Sequence, residues 1–174
     1  DVYKRQVLGE GTGAGMIFGN TGGVMEAALR TVYRVLEGKE APADFYQLRP
    51  VRGLSNRKEA EVTIAGKKLR VCILYGTAAA EEFLAEDMNG YHFVEVMTCP
   101  GGCISGAGQP DCGSVPVSDV VRKKRIQSLY QADEQAERRN SMDNPEIGTI
   151  YHEFFKEPLS MLSEKLLHTT YKRK

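Results

Sequence analysis

The chain has 174 residues, and its 23 lysines and arginines balance 23 aspartates and glutamates, so the formal net charge is zero. A neutral chain has no overall positive field, which argues against nucleic acid as a partner. A hydrophobic content of 41% suffices for one ordinary domain with a core. No run approaches the roughly 18 apolar residues of a membrane span, and no signal peptide is recognised. We therefore expect a soluble cytoplasmic protein with no membrane partner.

The glycine-rich segment 9–23 is the first organised part of the chain. Its apolar run Met16-Ile17-Phe18 predicts a buried strand between two loops. Apolar residues then recur at helical spacing from about 22 to 37, until Gly38 ends the pattern, which predicts a helix. A glycine-rich turn before a helix is also typical of phosphate-binding loops. The lysine of a Walker loop and a clean dinucleotide fingerprint are both missing, so tight turns and close packing are the favoured interpretation.

The segment 40–56 contains two prolines and predicts a connection with one short extended piece at 45–51. Apolar residues alternate on either side of 65–68, which predicts a β-hairpin; they are Val62, Ile64, Leu69, Val71 and Ile73. Cys72 is out of phase with this alternation. We expect a buried free thiol there rather than a metal ligand.

The second strand of the hairpin is followed by a helix, predicted at residues 78–88, and then by another strand, predicted from Phe93, Val94 and Val96. This order implies a βαβ unit with a right-handed crossover and parallel neighbouring strands. Functional loops in open α/β sheets follow the carboxyl ends of strands. Cys99 comes directly after such an end, which favours a site at this position.

A helical tail is predicted after Pro116. Ser118-Asp119 can begin a helix that carries the basic run 122–125, which we interpret as a solvated face rather than a surface for an acidic partner protein. Asn144-Pro145 can begin a second helix, and Pro158 separates it from a last amphipathic piece at 159–168. We expect this tail to lie over the α/β part rather than to form an independent domain.

Cys99 and Cys103 carry the clearest chemical signal of the chain. Two thiolates with small residues between and after them suit a soft metal or an iron–sulfur cluster. A structural zinc site usually has paired cysteines or histidines, and the histidines here stand alone in the sequence, at His92, His152 and His168. A redox dithiol prefers two intervening residues rather than three. An iron–sulfur cluster therefore remains as the favoured interpretation.

A cluster needs about four protein ligands, and the Cys99–Cys103 pair supplies two. Cys112 is a third candidate by spacing, but nearby prolines and an aspartate favour an ordinary loop cysteine. The remaining ligands are then expected outside this chain.

Residues 95–110 (EVMTCPGGCISGAGQP) resemble the third H-cluster motif of the iron-only (FeFe) hydrogenases over sixteen consecutive positions, with both cysteines in register. Residues 15–30 (GMIFGNTGGVMEAALR) resemble that family's strand, loop and helix beside the cluster. Shorter stretches also fit the family: 52–54, 58–62, 125–130 and 166–171. The last two lie in the tail, which resembles the family's small-subunit segment.

The resemblance implies an H-cluster, a 4Fe-4S cubane held by cysteines and bridged through one of them to a diiron carbonyl and cyanide centre. There protons and electrons combine reversibly to hydrogen. By position, Cys99 would be a cubane ligand and Cys103 the bridging ligand, Met97 would pack against the diiron unit, and Phe18 and Gly19 would line the opposite wall. The protein would supply ligands, a dry pocket and hydrogen bonds.

The resemblance also implies the architecture and the partners. The expected fold is α/β, the C-terminal lobe of the hydrogenase H-domain with a small β-sheet flanked by helices, followed by a helical tail. Residues 1–117 would belong to the large-subunit domain and 118–174 to the small-subunit-like segment. The expected partners are ferredoxin or NAD(P)H-linked electron-transfer domains or subunits, with H₂ and protons as reactants in an anaerobic hydrogen metabolism.

The chain also departs from the family. The two other cluster motifs, with the remaining cubane cysteines and the proton-transferring cysteine, are absent, as are accessory iron–sulfur domains. Residues 1–6 fit no part of the pattern, and Ala107 replaces a commoner glycine. We therefore expect a chain truncated upstream and inactive by itself. The alternatives are a non-catalytic hydrogenase-like protein of iron–sulfur assembly, against which residues 21–30 argue, and a structural α/β domain with two incidental cysteines.

Overall fold

The computed structural model describes residues 9–86 and 88–170. The expected tail at residues 1–6 and Tyr171 of the 166–171 motif lie outside the described residues. The helices are α1 (Gly13–Ile17), α2 (Gly23–Glu37), α3 (Thr77–Ala85), α4 (Asp119–Gln135), α5 (Pro145–Ile150) and α6 (Met161–Leu167). The strands are β1 (Arg57–Ile64), β2 (Lys67–Tyr75) and β3 (Phe93–Met97). Short 3₁₀ or π turns occupy Ala43–Gln47, Arg49–Val51, Cys103–Ser105, Ser141–Asp143 and Tyr151–Phe155.

The described strands form one sheet in the order β1-β2-β3. β1 and β2 pair antiparallel, with Ile64 opposite Lys67 across a turn at Ala65 and Gly66 whose φ angles are both positive. The expected hairpin is confirmed. β3 pairs parallel with β2, and α3 connects them, so the expected βαβ order with parallel neighbours is confirmed as well.

Apolar residues pack on both faces of this sheet. On one face, α2 contributes Met25 and Leu29 to a buried cluster with Ile64, Val71 and Ile73. On the other face, Cys72 and Leu74 pack against α3. Cys72 is a buried free thiol, as expected, and burial raises its pKa. The sheet is therefore flanked by helices, in agreement with the α/β fold that the sequence predicts.

Residues 13–17 form a helix, so the strand expected at Met16-Ile17-Phe18 is wrong. Thr12 caps α1 because its side chain accepts a hydrogen bond from the Gly15 N–H. The amides of Gly13 and Ala14 donate to the carbonyls of Arg138 and Arg139 at 2.8 and 2.9 Å. The glycines that looked like loop residues instead permit close packing, because a Cβ at Gly13 would collide with Asp133.

The segment 45–51 is also not extended. It forms the 3₁₀ turns Ala43–Gln47 and Arg49–Val51. Phe45 and Val51 are buried in the cluster under α2, and Leu48 packs against it. The three residues are spaced three apart, which matches the three-residue period of a 3₁₀ helix. Tertiary burial of these apolar side chains thus decides the local conformation.

The helical tail packs against the α/β part, as expected. Tyr130 of α4 is buried with Ala14, Ile17 and Ala27. Ser118 caps α4, and Asn144 caps α5, where Pro145 is the first residue, so both predicted helix starts are confirmed. Within the described part of the chain, no helix is both long enough and apolar enough to cross a membrane.

A buried ionic network also joins the tail to α2. The Arg30 guanidinium donates to both carboxylate oxygens of Asp133 at 2.8 Å and to Glu26 at 2.8 Å, and these side chains have no solvent exposure. Arg139 adds a bond of 2.5 Å to Asp133, and Arg52 adds a bond of 2.8 Å to Glu26. The tail is therefore held by directional charged hydrogen bonds as well as by apolar contacts.

Candidate functional site

The loop with the two predicted ligands, residues 98–110, begins where β3 ends at Met97 and is called the cysteine loop below. Cys99 is half-buried and Cys103 is exposed, and neither forms a disulfide. The Cys99 carbonyl accepts a hydrogen bond of 2.9 Å from the Gly102 amide, which folds the intervening residues into a tight turn. The turn presents both thiols from the same short stretch of backbone, beyond the carboxyl end of the strand.

This loop lies directly on the segment that precedes α2. The Thr21 amide donates to the Gly101 carbonyl at 2.9 Å, and the Ile104 amide donates to the Gly19 carbonyl at 3.1 Å. A Cβ at Gly102, where φ is +95°, would lie 2.8 to 2.9 Å from the backbone of residues 19–21. Glycine is required at this position for both reasons. The structure thus brings together the two longest family-like segments, 15–30 and 95–110.

Two cavities flank Cys103. One of about 250 Å³ is lined by Met97, Cys99 and Cys103, together with Val96, Thr98 and Gly102. The other, of about 260 Å³, is lined by Gly19 and Cys103 with residues of α4. Phe18 is 44% exposed and lines neither of these cavities. Four of the five predicted site residues therefore border space on one side or the other of Cys103.

Within residues 9–86 and 88–170, no three histidine, cysteine, aspartate or glutamate side chains lie close enough to hold a metal ion together. Cys112 contacts Ser114, with its Sγ 3.6 Å from the serine hydroxyl, and these hydrogen bonds lower the pKa of its thiol. The donors at the loop are two thiols against glycine backbone, with the Met97 thioether beside them. The thiols fit part of the ligand set of an iron–sulfur group, with further ligands needed from elsewhere.

Glu95 holds the two segments in register, a role that the sequence pattern did not predict. Its carboxylate accepts hydrogen bonds from the amides of Gly22 at 2.6 Å and Met25 at 2.7 Å. Gly22 has no side chain to cap α2, so a carboxylate from β3 satisfies the amides at the positive end of the helix. The signal in the sequence is an acidic residue within an apolar strand.

Lys58 supports the same backbone from β1. Its ammonium donates to the carbonyls of Thr21 at 2.9 Å and Gly53 at 3.2 Å. Burial lowers the pKa of Lys58 to about 8, although the charge of Glu95 opposes this shift. The position of residues 19–21, and with it one side of the cysteine loop, depends on this buried pair.

The low pKa of Lys58 makes the stability of the chain depend on pH. The unfolded chain binds the proton of the Lys58 ammonium more tightly than the folded chain does. The burial of the charged ammonium therefore destabilises the fold fully below about pH 8, and this destabilisation is relieved as the pH rises towards about 10.5. We expect the free energy of unfolding of the wild type, relative to Lys58→Met, to rise by roughly 1 to 2 kcal/mol between about pH 7.5 and 9.5. Urea unfolding at both pH values measures this difference, and the exposed Lys67→Met is the control. The same difference between wild type and Lys58→Met at both pH values would contradict a lowered pKa of Lys58.

The basic run of α4 is only in part the solvated face that we expected. Lys123 and Lys124 are exposed. Arg125 instead donates to the carbonyls of Ile104 at 2.6 Å and Pro110 at 2.7 Å, and Arg122 donates to the Ser105 hydroxyl at 3.1 Å. Both arginines contact the cysteine loop, a partnership between distant segments that periodicity cannot reveal.

Comparisons with known proteins match both the part of the chain with the cysteine loop and the helical tail. Residues 2–107 match the family model described as "Iron only hydrogenase large subunit, C-terminal domain", and residues 119–174 match "Iron hydrogenase small subunit". The NADP-reducing hydrogenase subunit HndD of Solidesulfovibrio fructosivorans is 44% identical over 94% of this chain and 28% of its own length. Protein NAR1 of Arabidopsis thaliana is 30% identical over 89% of this chain and 33% of its own length.

The fold is similar to that of a solved hydrogenase. A single-residue variant of the FeFe hydrogenase HydA1 from Chlamydomonas reinhardtii superposes with a TM-score of 0.66 and 33% identity, over 94% of this chain and 47% of that one. The chain thus spans about a third or less of the two relatives and about half of the solved structure. Because the large-subunit model covers more than half of the sequence, the chain belongs to the family defined by the C-terminal domain of the large subunit of iron-only hydrogenases.

Proposed function

We propose that this chain forms part of an iron-only hydrogenase that reversibly reduces protons to hydrogen at an H-cluster. The parent protein is here the chain together with upstream sequence that carries the remaining cluster ligands. The observation that carries the proposal is the contact between the loop of Cys99 and Cys103 and the segment 19–21, made through two backbone hydrogen bonds. The chain contributes one wall of the site and two of its ligands.

In this proposal, Cys99 and Cys103 would hold the H-cluster, Cys99 as a ligand of the 4Fe-4S cubane and Cys103 as the ligand that the cubane would share with the diiron centre. When bound, the H-cluster supplies the exchange of electrons and protons that forms hydrogen. Met97 would pack its thioether beside the diiron unit, and Phe18 and Gly19 would line the opposite wall. The cavity next to Met97, Cys99 and Cys103 supports the placement of these three residues, and the cavity between Gly19 and Cys103 supports that of Gly19.

The organisation and partners belong to the same proposal. Residues 1–117 form the large-subunit part and 118–174 the small-subunit-like part, which the separate matches at 2–107 and 119–174 support. Electrons arrive from ferredoxin or from NAD(P)H-linked domains or subunits, for which the NADP-reducing relative provides support. The protein acts in the cytoplasm under anaerobic conditions, where the thiols stay reduced.

A second candidate is a non-catalytic hydrogenase-like protein of iron–sulfur assembly. Its support is a relative named cytosolic iron-sulfur assembly component 3, from Mus musculus, which is 28% identical over 88% of this chain and 31% of its own length. The identity to the NADP-reducing hydrogenase relative is higher, at 44%. The two candidates differ in the upstream sequence. A hydrogenase requires the other two cluster motifs, including the proton-transferring cysteine.

Anaerobic iron and sulfide reconstitution tests the ligand part of the proposal. Two cysteine ligands are too few to hold a cluster, so the 174-residue chain is expected to retain little iron after desalting. The parent protein is expected to retain a full cubane, and replacing both Cys99 and Cys103 with alanine should remove it. Full iron retention by the 174-residue chain, or by the double variant of the parent, would contradict the proposed ligand set.

A further inference from the structure

The cysteine loop has little regular structure after the turn at Cys103–Ser105. Residues 105–109 are Ser-Gly-Ala-Gly-Gln, and Gly108 adopts a φ of +87°. Such a sequence has few side chains to pack and high conformational freedom. The Ile104 amide already bonds to the Gly19 carbonyl, so it is the backbone from the Ile104 carbonyl onward that further contacts from outside the loop can restrict.

Arg125 of α4 provides such contacts on both sides of residues 105–109. Its Nη1 donates to the Ile104 carbonyl at 2.6 Å, and its Nη2 donates to the Pro110 carbonyl at 2.7 Å. One rigid, planar guanidinium thus fixes two carbonyls six residues apart in sequence. The first of them follows Cys103 directly. Lysine, with a single ammonium and no fork, cannot reproduce this paired geometry.

Arg122 acts one turn earlier on the same face of the helix. Its Nε donates to the Ser105 hydroxyl at 3.1 Å, while its Nη1 pairs with Asp119 at 2.6 Å. A Cβ at Gly101 would lie 3.6 Å from the Arg122 Cδ, so the arginine stem also runs close to the turn before Cys103. The hydrogen bonds of the two arginines reach the loop after Cys103, at Ile104, Ser105 and Pro110.

The helix that carries these arginines is itself anchored in the interior. Tyr130 and Asp133 anchor the second half of α4 in the interior, through the apolar cluster of α1 and the ion pair with Arg30. Arg125 also lines the cavity that contains Gly19 and Cys103. The orientation of the loop is thus tied to the tail through α4.

We propose that Arg125, assisted by Arg122, is a positioning residue that fixes the backbone of Cys103 relative to residues 19–21. The significance of Cys103 as a cluster ligand rests on the proposed function. The positioning itself does not, and it can be measured in the 174-residue chain without a cluster.

Hydrogen exchange of backbone amides, measured by NMR at pH 7, tests this proposal directly. In Arg125→Gln, the amides of Ile104, Ser105 and Gly106 are expected to exchange about tenfold faster or more, because two charged hydrogen bonds are lost. Arg125→Lys should give an intermediate rate. The neighbouring Lys124→Gln removes the same charge from an exposed position and should leave these rates unchanged.

Three outcomes would overturn the proposal: unchanged exchange in Arg125→Gln, an equal increase at β2 amides, or the same increase in Lys124→Gln. If Arg125→Gln does not fold, the Arg125→Lys variant decides by the same comparison of loop amides with β2 amides. In the reconstituted parent protein, Arg125→Gln is expected to lose iron to a chelator several-fold faster than Lys124→Gln. A wild-type parent that binds no iron would reject the proposed function, while the exchange rates would still decide the positioning role.

Discussion

Cys103→Ala is expected to abolish hydrogen evolution by the matured parent protein and to remove most of its iron. In the proposed site, Cys103 joins the two halves of the cofactor, and alanine has no donor atom to replace the thiolate. Loss of a residue that merely supports a ligand costs about 10- to 100-fold, so loss of this ligand should exceed 100-fold. Hydrogen production by gas chromatography and iron by a colorimetric assay provide the two readouts.

Cys112→Ala is the matched control for this variant. Cys112 lies just after the cysteine loop in sequence. Its thiol contacts Ser114, and it lines neither of the cavities next to Cys103. We expect near wild-type iron content and activity from it. Full activity and iron content in Cys103→Ala would show that Cys103 is not the bridging ligand, and equal losses in both variants would show that the loss is not specific to Cys103.

Asp133→Ala is expected to destabilise the 174-residue chain by about 3 to 5 kcal/mol, because Arg30, which is sealed from solvent, would then have to share the single charge of Glu26 with Arg52. Burial by itself would raise the pKa of Asp133, but the hydrogen bonds and charges of Arg30 and Arg139 outweigh it and lower this pKa. The carboxylate is therefore ionised at neutral pH and balances the arginines. Urea unfolding at about pH 7 measures the loss.

Glu134→Ala provides a control on the next residue of the same helix. Glu134 is exposed, and its replacement is expected to change the free energy of unfolding by no more than about 0.5 kcal/mol. An Asp133→Ala variant as stable as Glu134→Ala would mean that the network of Glu26, Arg30 and Asp133 does not secure the tail.

Elements with their own periodicity and end signals were predictable from the sequence. The apolar spacing of α2 ends at Gly38, where φ is +67°, and the alternation of the hairpin breaks at Ala65 and Gly66. Ser118 and Asn144 cap the helices that they were expected to begin. In each case the decisive interactions lie within a few residues, so local chemistry was sufficient.

The misassigned elements depend on distant partners. The three apolar residues 16–18 are too few to separate a strand from a helix, and α1 is stabilised by backbone bonds to Arg138 and Arg139. Glu95 reaches a helix end 73 residues away, and Arg125 reaches a loop carbonyl 21 residues away. Such contacts have no periodic signature, so the supports of the site emerged only with the tertiary structure.

The location of the predicted site could be inferred from local sequence, whereas its contacts with distant segments could not. Cys99 and Cys103 follow the carboxyl end of a parallel strand, as the βαβ order indicated. The pairing of their loop with Gly19 and Thr21 follows from family resemblance rather than from any pattern within the segments. Their roles as cluster ligands, and those of Met97, Phe18 and Gly19, stay predictions.

The most direct measurement of the central claim is hydrogen evolution from reduced methyl viologen by the parent protein after anaerobic maturation. Wild-type parent protein is expected to evolve hydrogen, while the 174-residue chain matured in the same way evolves none. A parent protein that binds a full complement of iron but produces no hydrogen would contradict the hydrogenase assignment and favour an iron–sulfur assembly role. Hydrogen evolved by the 174-residue chain alone would contradict the claim that it supplies only one wall of the site.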